Sequence, residues 1–414
     1  MTKITDIPAI RFKGFSDTWE QRKVTEIGKI YIGLVTTMTK HYTDEGTLLI
    51  RNSDIKDGKF EFGDNPIYLE KTFAEKNETR MHQIGDVITV HTGDVGTSAV
   101  ITENEAKSIG FATIVTRPNP KIIDSNYLCS FLNTDKHKKW AVSISTGDGR
   151  TNYNLGDYFE LVVPVPSIAE QKKIASYIQK LNRLITLHQR KYDKLTNVKK
   201  SMLEKMFPQN GSNVPEIRFK GFTEAWEQRK FSDLVQIERG GSPRPIDDFI
   251  TDSPDGLNWV KIGDAPAQGN YITKTAEKIK PEGLSKTREV HPGDLILSNS
   301  MSFGKPYIMG IDGCIHDGWL LIRNTYKVFD LTFLCHLLGT PQMIIQYKSL
   351  AAGSTVNNLN KELVGNTVVT IPTIKEQRVL GQYLETLDNL ITLHQRELEK
   401  LKNLKKACLE KMFV

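Results

Sequence analysis

The sequence predicts an α+β protein with two mixed α/β domains, two long helices and a pseudo-two-fold internal repeat. Three observations predict this. The chain has 414 residues, more than one ordinary domain needs. The segment LITLHQR occurs at 184–190 and again at 390–396. Elsewhere, short apolar or β-branched runs alternate with Gly, Pro, Asn and Asp, which is typical of sheets with few long helices.

The repeat extends well beyond seven residues. Residues 166–207 align without gaps to 372–413, with 23 identities in 42 positions. A second pair opens each half: PAIRFKGFSDTWEQRK at 8–23 and PEIRFKGFTEAWEQRK at 215–230. The period of 206 or 207 residues far exceeds that of a solenoid, so a whole domain and its helix are duplicated. We predict domains at 1–165 and 215–371, long helices at 166–207 and 372–414, and a linker at 208–214.

Each long helix is predicted from its start signal and its heptads. After Pro166 and Pro372 comes S/T-x-x-E, a capping box that starts a helix at Ser167 or Thr373. The apolar seam of a coiled coil comprises Ile174, Leu181, His188, Leu195 and Met202 in the first helix, and Leu380, Leu387, His394, Leu401 and Cys408 in the second. Between them lie Tyr177, Leu184, Val198, Tyr383, Leu390 and Leu404. Because only a short linker follows the first helix, we expect antiparallel pairing. The two histidines fit packing better than acid/base work or ligation.

Motifs of several catalytic classes are absent from the sequence. It has no P-loop, no H-E-x-x-H, no paired Cys/His spacing and no Pro-rich tetrapeptide of adenine methyltransferases. PDGLNWVK at 254–261 lacks one acidic residue of a nuclease motif and fits a plain Pro-Asp-Gly turn. We therefore predict a non-enzyme without catalytic residues or a bound metal.

Cellular context is predicted from the termini, hydropathy and cysteines. The opening MTKITDIPAI has no apolar signal region, and no run approaches the ~18 apolar residues of a membrane span. Four scattered cysteines fit reduced thiols. We expect a cytoplasmic protein without membrane contact.

Positive charge is concentrated locally. The net charge is only +6, but residues 171–208 hold ten Lys/Arg and two acids, a local +8. Such a run is typical of a solvated helix face, or of a surface that faces DNA phosphates.

Four motifs occur twice in the same order: IRFKGF…WEQRK, P-S/T-I-x-E-Q, LITLHQR and LEKMF. Through these motifs the chain resembles the specificity subunit of type I restriction-modification systems over essentially its whole length. The resemblance implies two target-recognition domains that each read half of a bipartite, asymmetric site in double-stranded DNA. It implies an antiparallel coiled coil as spacer, two docked methyltransferase (modification) subunits, and restriction subunits in the full complex. No cofactor is implied for this chain, whereas S-adenosylmethionine, ATP and Mg²⁺ are implied for the partner subunits.

Base readout requires bidentate polar or small hydroxyl side chains on loops that face a groove. Candidate DNA-binding residues in the first domain are Lys40, His41, Arg51, Asn52, Thr92, Gly93, Thr97, Arg150 and Asn152. In the second they are Arg239, Arg244, Lys261, Ser300, Ser302, Lys305, Ser354, Thr355 and Asn357. Each would otherwise be an ordinary solvated loop residue.

Two alternatives stay open at this point. A stand-alone DNA-processing enzyme would turn over DNA with Mg²⁺ and either ATP or S-adenosylmethionine. A scaffold whose domains bind proteins would show no salt-dependent affinity for DNA.

Overall fold

The chain forms two compact units. The computed structural model describes residues 7–145, 151–209, 211–299, 304–351 and 359–413. The first unit comprises Met1–His188 with Glu397–Val414, and the second comprises Gln189–Arg396. The part of each unit outside the long helices is called its head. Each head is mixed α/β, as the alternation of turn residues and short apolar runs predicted.

Short strands dominate the first head. Its described strands are β1 (Glu20–Lys23), β2 (Gly28–Ile32), β3 (Tyr42–Thr43), β4 (Thr47–Arg51), β5 (Ile55–Lys56), β6 (Lys59–Phe60), β7 (Tyr68–Leu69), β8 (Val87–Thr89), β9 (Ser98–Val100), β10 (Ile109–Phe111), β11 (Ile114–Pro118) and β12 (Val162–Val165). The helices are α1 (Val24–Ile27), α2 (Lys71–Lys76), α3 (Ser125–Leu132), α4 (Asp135–Ile144), α5 (Leu155–Phe159) and the long α6 (Ile168–Lys205).

Two four-stranded sheets organise this head, with strand orders β10-β4-β7-β3 and β2-β11-β8-β9. The second sheet is antiparallel throughout, whereas β10 pairs parallel with β4. A separate pair, β1 with β12, joins the repeated EQRK segment to the strand before α6. Hairpin β8–β9 packs against α3 through Val87, whereas Ile88 and Ala99 belong to a separate core cluster with Ile50.

The second head has the same arrangement, but each of its two main sheets has five strands. Its described strands are β13 (Glu227–Lys230), β14 (Gln236–Arg239), β15 (Ile250–Thr251), β16 (Leu257–Val260), β17 (Tyr271–Ile272), β18 (Glu277–Ile279), β19 (Arg288–Val290), β20 (Leu295–Ser298), β21 (Pro306–Met309), β22 (Gly313–Ile315), β23 (Trp319–Arg323) and β24 (Val368–Ile371). The helices are α7 (Leu331–Leu338), α8 (Pro341–Ala351), α9 (Lys361–Gly365) and the long α10 (Ile374–Lys411). The sheet orders are β14-β23-β20-β21-β17 and β15-β18-β16-β22-β19.

One ion pair anchors the start of each long helix. Arg11 donates from Nε and Nη2 to the two carboxylate oxygens of Glu170, at 2.7 and 2.8 Å. Arg218 makes the same bidentate contact with Glu376, also at 2.7 and 2.8 Å. The predicted capping box is therefore only half formed in the first helix. The amide of Glu170 donates to Ser167 Oγ at 3.4 Å, but its carboxylate binds the arginine instead of the cap backbone.

A glutamine beside each of these glutamates joins the helix to the head. Gln171 Oε1 accepts from the amide of Asp124 at 2.8 Å, and its Nε2 donates to Ile122 O and Pro166 O at 3.0 and 2.8 Å. Gln377 makes the equivalent three bonds in the second unit. Because Asp124 caps α3 through its carboxylate, the glutamine fixes the position of that helix as well.

The LEKMF ends of the long helices complete the head cores. In the first unit, the Phe413 ring lies 6.5 Å from Trp19 and 5.3 Å from Tyr127. In the second, Phe207 lies 6.0 Å from Trp226 and 5.7 Å from Phe333. Each unit therefore buries the beginning of one long helix and the end of the other.

The ten predicted seam residues are all at least partly buried, but two of the apolar residues predicted to lie between them are not. Leu390 and Leu404 are exposed by 38% and 42%, whereas Leu384, Ile391 and Leu398 are buried. A heptad pattern predicts the single helix face that contacts one partner helix. The first turns of α10 also pack on the core of the head, which contains Leu380, Leu384 and Leu387, so a second face of the helix is buried there.

Replacing Glu170 with Gln leaves the Arg11 guanidinium, 12% exposed, without its counter-charge. Breaking a buried pair from one side costs about 3 kcal/mol, so we expect a loss of this order confined to the first unit. Glu376→Gln should do the same to the second unit, and Glu20→Gln, in the exposed pair with Arg22, should cost less than about 1 kcal/mol. Hydrogen exchange monitored during denaturant titration gives the free energy of unfolding of each unit separately. Equal losses of this free energy from Glu170→Gln and Glu20→Gln would contradict the prediction.

Three buried histidines make the fold acid-sensitive. Burial lowers the pKa of His82, His137 and His336 to about 4 in each case. A folded-state pKa below the unfolded value of ~6.5 means that the unfolded chain binds more protons as the pH falls below ~6.5. Stability should therefore decrease between pH 6.5 and 4, by about 2 kcal/mol per histidine at pH 5. His137→Gln should reduce this slope in urea titrations; an unchanged slope would refute the assignment.

Candidate nucleic-acid interface

A polar cluster gathers candidate residues at the strand ends of the first head. The Asn52 side chain accepts from the amide of His91 at 2.8 Å and donates to Ala112 O at 3.1 Å. Thr92 donates its hydroxyl to Asn152 Oδ1 at 2.9 Å. That hydroxyl therefore accepts from His91 Nδ1, 2.7 Å away. We call Asn52, His91, Thr92 and Asn152 the His91 cluster; Gly93, exposed with φ +101°, adjoins it.

Burial favours the neutral form of the His91 ring. It is partly buried, and this burial lowers the pKa of the imidazole. Its Nδ1–H is committed to Thr92 by the direction of the hydroxyl bond to Asn152. The loops that carry Asn52 and Asn152 thereby meet at the His91–Thr92 segment. The sequence analysis did not include His91 among the candidates.

Arg51 stands at the edge of this cluster in a fixed orientation. β4 ends at Arg51 and a 3-10 turn over Asn52–Asp54 follows. Asp54 accepts from the Arg51 amide at 2.8 Å, from Nε at 3.0 Å and from Nη2 at 2.8 Å. The Asp54 hydrogen bond raises the pKa of Arg51. The guanidinium is thus presented at the surface by a buried carboxylate.

The remaining first-head candidates lie outside the cluster or serve the loops. Lys40 is exposed. His41 lies 3.0 Å from Glu70 through Nδ1 and stacks on Phe73. Thr97 is 1% exposed and donates to Asp94 at 2.7 Å, which makes it an internal support of the β8–β9 turn. Arg150 lies outside the described residues.

In the second head the polar contacts converge on Asp317. Its carboxylate accepts from Ser242 Oγ at 3.0 Å and lies 3.0 Å from His316 Nε2. Its backbone oxygen accepts from Asn299 Nδ2 at 2.8 Å and Arg239 Nε at 3.4 Å. Arg244 is 82% exposed, with Nη2 at 3.8 Å from the carboxylate. The adjoining groove, also lined by Trp259 and Lys261, has a volume of about 1030 Å³. Of these residues, the sequence identified only Arg239, Arg244 and Lys261.

Lys261 occupies the position that Arg51 has in the first head. It precedes a 3-10 turn whose Asp264 accepts from the Lys261 amide at 2.8 Å. Its ammonium binds Glu277. Lys305 lies 4.9 Å from the centre of the Tyr307 ring. Ser300, Ser302, Ser354, Thr355 and Asn357 lie outside the described residues. PDGLNWVK forms the predicted turn at Pro254–Asp255 followed by β16.

The described part of the chain was also searched for metal and membrane features. Within it, no group of three or more His, Cys, Asp or Glu side chains is placed to hold a metal ion. None of its helices combines the length and the apolarity required to cross a bilayer.

Comparison with known families decides the identity. The type I restriction modification DNA specificity domain matches twice, at residues 16–197 and 223–403. The chain belongs to this family. It is 23% identical over 421 aligned residues to a putative type I restriction enzyme MjaX specificity subunit of Methanocaldococcus jannaschii, covering 98% of this chain and 93% of that protein. It is 26% identical to the EcoBI specificity subunit of Escherichia coli over 33% of this chain and 29% of that one.

Two solved structures share the fold. The crystal structure of the type I restriction-modification S subunit from M. genitalium superposes with a TM-score of 0.66 at 13% identity, covering 99% of both chains. A chain from a structural study of complex assembly and conformational transition of the type I R-M system gives 0.52 at 18% identity, covering 95% of this chain and 97% of that one. The specificity-subunit fold predicted from the repeated motifs is thereby confirmed.

Removing the Thr92 hydroxyl should loosen the His91 cluster. Thr92→Val keeps the shape and removes the bond to Asn152, a loss of about 1 kcal/mol. The amide of Tyr153, which donates to His91 O at 2.8 Å, should then exchange several-fold faster. Ser242→Ala in the second head is the matched control and should leave Tyr153 unaffected. Unchanged exchange in Thr92→Val would show that the cluster does not hold this loop.

Proposed function

We propose that this specificity subunit reads a bipartite, asymmetric site in double-stranded DNA, one half with each head. The supporting observation is that equivalent loops carry different readout groups on one scaffold. The turn after β4 presents Arg51, and the equivalent turn after β16 presents Lys261. Arginine makes a bidentate contact to guanine, whereas lysine acts as a point donor. Unlike loops therefore favour unlike half-sites.

The long helices are proposed to pair as an antiparallel coiled coil that spaces the two heads. In the first unit, Ile174 and Ile178 near the start of α6 share a core with Cys408 and Leu409 near the end of α10. In the second unit, the end of α6 shares a core with the start of α10. This arrangement is what antiparallel pairing requires.

The chain is further proposed to dock two methyltransferase subunits, and through them restriction subunits. The duplicated LITLHQR segment leaves Leu187 and Leu393, at equivalent positions, 46% and 52% exposed. One apolar docking position in each unit supports two copies of one partner. Catalysis is assigned to these partners, which would bring S-adenosylmethionine, ATP and Mg²⁺. The P-loop and methyltransferase motifs missing from this sequence support that assignment.

An exchange of heads tests the proposal. Residues 24–160 are replaced by the corresponding segment of another specificity subunit, which keeps the Arg11–Glu170 anchor and both long helices. With its partner subunits present, the chimera should methylate a site changed in one half only, and the matched exchange of 231–366 should change only the other half. Mapping methylated adenines across genomic DNA measures both. A change in both halves from either chimera would refute independent reading.

A further inference from the structure

The first unit contains an open, positively charged cleft outside the loops discussed above. It lies between the turn that joins β5 to β6, helix α4, the first half of α6 and the last turns of α10, and its volume is about 560 Å³. We call it the lysine cleft. Every residue that lines it belongs to the first unit.

Cations outnumber acids in this cleft by six to three. Lys405 is paired with Asp57 at 3.1 Å, Lys406 approaches Asp135 at 3.8 Å, and Lys59 binds Glu61 at 2.5 Å. Three further cations line the cleft: Lys138, Arg183 and Lys402. Among the described residues, none of these three has a carboxylate within ion-pair distance. Like charges gathered around one cavity repel each other, and a bound anion relieves this repulsion.

The second unit shows how the same framework is closed without a ligand. Asn182 of the cleft corresponds in the repeat to Asp388, and Lys405 corresponds to Lys199. Asp388 binds Lys199, accepts from Asn270 Nδ2 at 2.9 Å and lies 3.8 Å from His336 Nε2. A cavity of about 40 Å³ there is lined by Asp388, Asn389 and Thr392, the equivalents of Asn182, Arg183 and Thr186. Around Asp388, protein groups thus make the polar contacts that the first unit leaves open.

The three unpaired cations are absent from the second unit. In the repeat alignment, Arg183 corresponds to Asn389 and Lys402 to Thr196. Thr134 and Thr340 cap the equivalent helices α4 and α8, and Lys138 and Ile344 each lie four residues after this cap. Both units nevertheless keep the arginine–glutamate pair, the glutamine bonds and the buried helix ends. The framework does not need these charges in order to fold, so they point to a ligand.

We propose that the lysine cleft binds an anion with two or more adjacent phosphate groups. The Arg183 guanidinium offers a planar fork that matches phosphate oxygens, and Lys138 and Lys402 add point charges. The Asn182 amide and the Thr186 hydroxyl add neutral hydrogen-bond donors. A volume of about 560 Å³ suits a small ligand rather than a single ion. The phosphates belong either to a free polyphosphate or nucleotide, or to a DNA backbone segment.

The test uses the full chain and a triple variant that copies the second unit: Lys138→Ile, Arg183→Asn and Lys402→Thr. The control variant, Lys13→Ala, Lys29→Ala and Lys139→Ala, removes the same charge from exposed positions of the first unit outside the cleft. Inorganic tripolyphosphate and a short duplex of unrelated sequence are titrated calorimetrically at fixed salt. Thermal melting of both variants verifies folding, and Arg183→Lys, which keeps the charge, serves as a second, milder variant.

We expect at least one of the two probes to bind the wild-type chain and to bind the cleft variant about tenfold more weakly, equivalent to about 1.4 kcal/mol. The control should stay within about twofold. A selective loss for tripolyphosphate assigns the cleft to a free phosphorylated ligand, and a selective loss for the duplex alone assigns it to the DNA backbone. Binding of neither probe to the wild-type chain, or equal losses in cleft and control variants, overturns the proposal.

Discussion

Each unit depends on pairing one almost completely buried glutamate carboxylate with an arginine. Glu170 and Glu376 are only 1% and 3% exposed, and a lone carboxylate at that depth would cost several kcal/mol. The bidentate arginine offsets this cost only when the segment that carries it lies across the first turn of the long helix. The backbone of that same segment binds the end of the other long helix, through Ile10 to Lys411 O and Ile217 to Lys205 O, both at 2.9 Å. One electrostatic requirement therefore fixes three pieces of chain in each unit.

This requirement explains which parts of the sequence repeat. The arginine, the glutamate, the adjacent glutamine and the terminal phenylalanine depend on one another, so a change in any of them leaves a buried charge, an unpaired amide or a cavity. The loops between the strands depend on one another only within their own head. They are free to differ between the heads, and they do, from the Asn52–His91–Thr92–Asn152 bonds of the first head to the Asp317 contacts of the second.

The same distinction governs what the sequence could predict. The long helices and the duplicated frame were predictable because their signals are local or repeated: heptads, a start signal and identical motifs. The buried face of α10 was predicted only in part. A heptad pattern reports contacts with a partner helix, but it carries no information about the head, which also covers Leu384. The candidate DNA-binding residues were harder to predict from the sequence. Arg51 and Asp54 are three residues apart, but Thr92 and Asn152 are separated by 60 residues, and no periodicity connects them. Thr97 has a typical loop composition around it, and only the fold shows that it is buried.

The two heads also differ in how firmly they hold their polar groups. Two nitrogen atoms of Arg51 are already bonded to a buried carboxylate, whereas the 82% exposed Arg244 only approaches Asp317 at 3.8 Å. Ordering a free long side chain on binding costs about 0.5–1.5 kcal/mol, and a side chain that is already fixed avoids most of this cost. For the same number of base contacts, the first head therefore has the smaller entropic penalty. Under the proposed reading of one half-site by each head, the second head recovers the difference through additional contacts, for which its groove of about 1030 Å³ provides the surface.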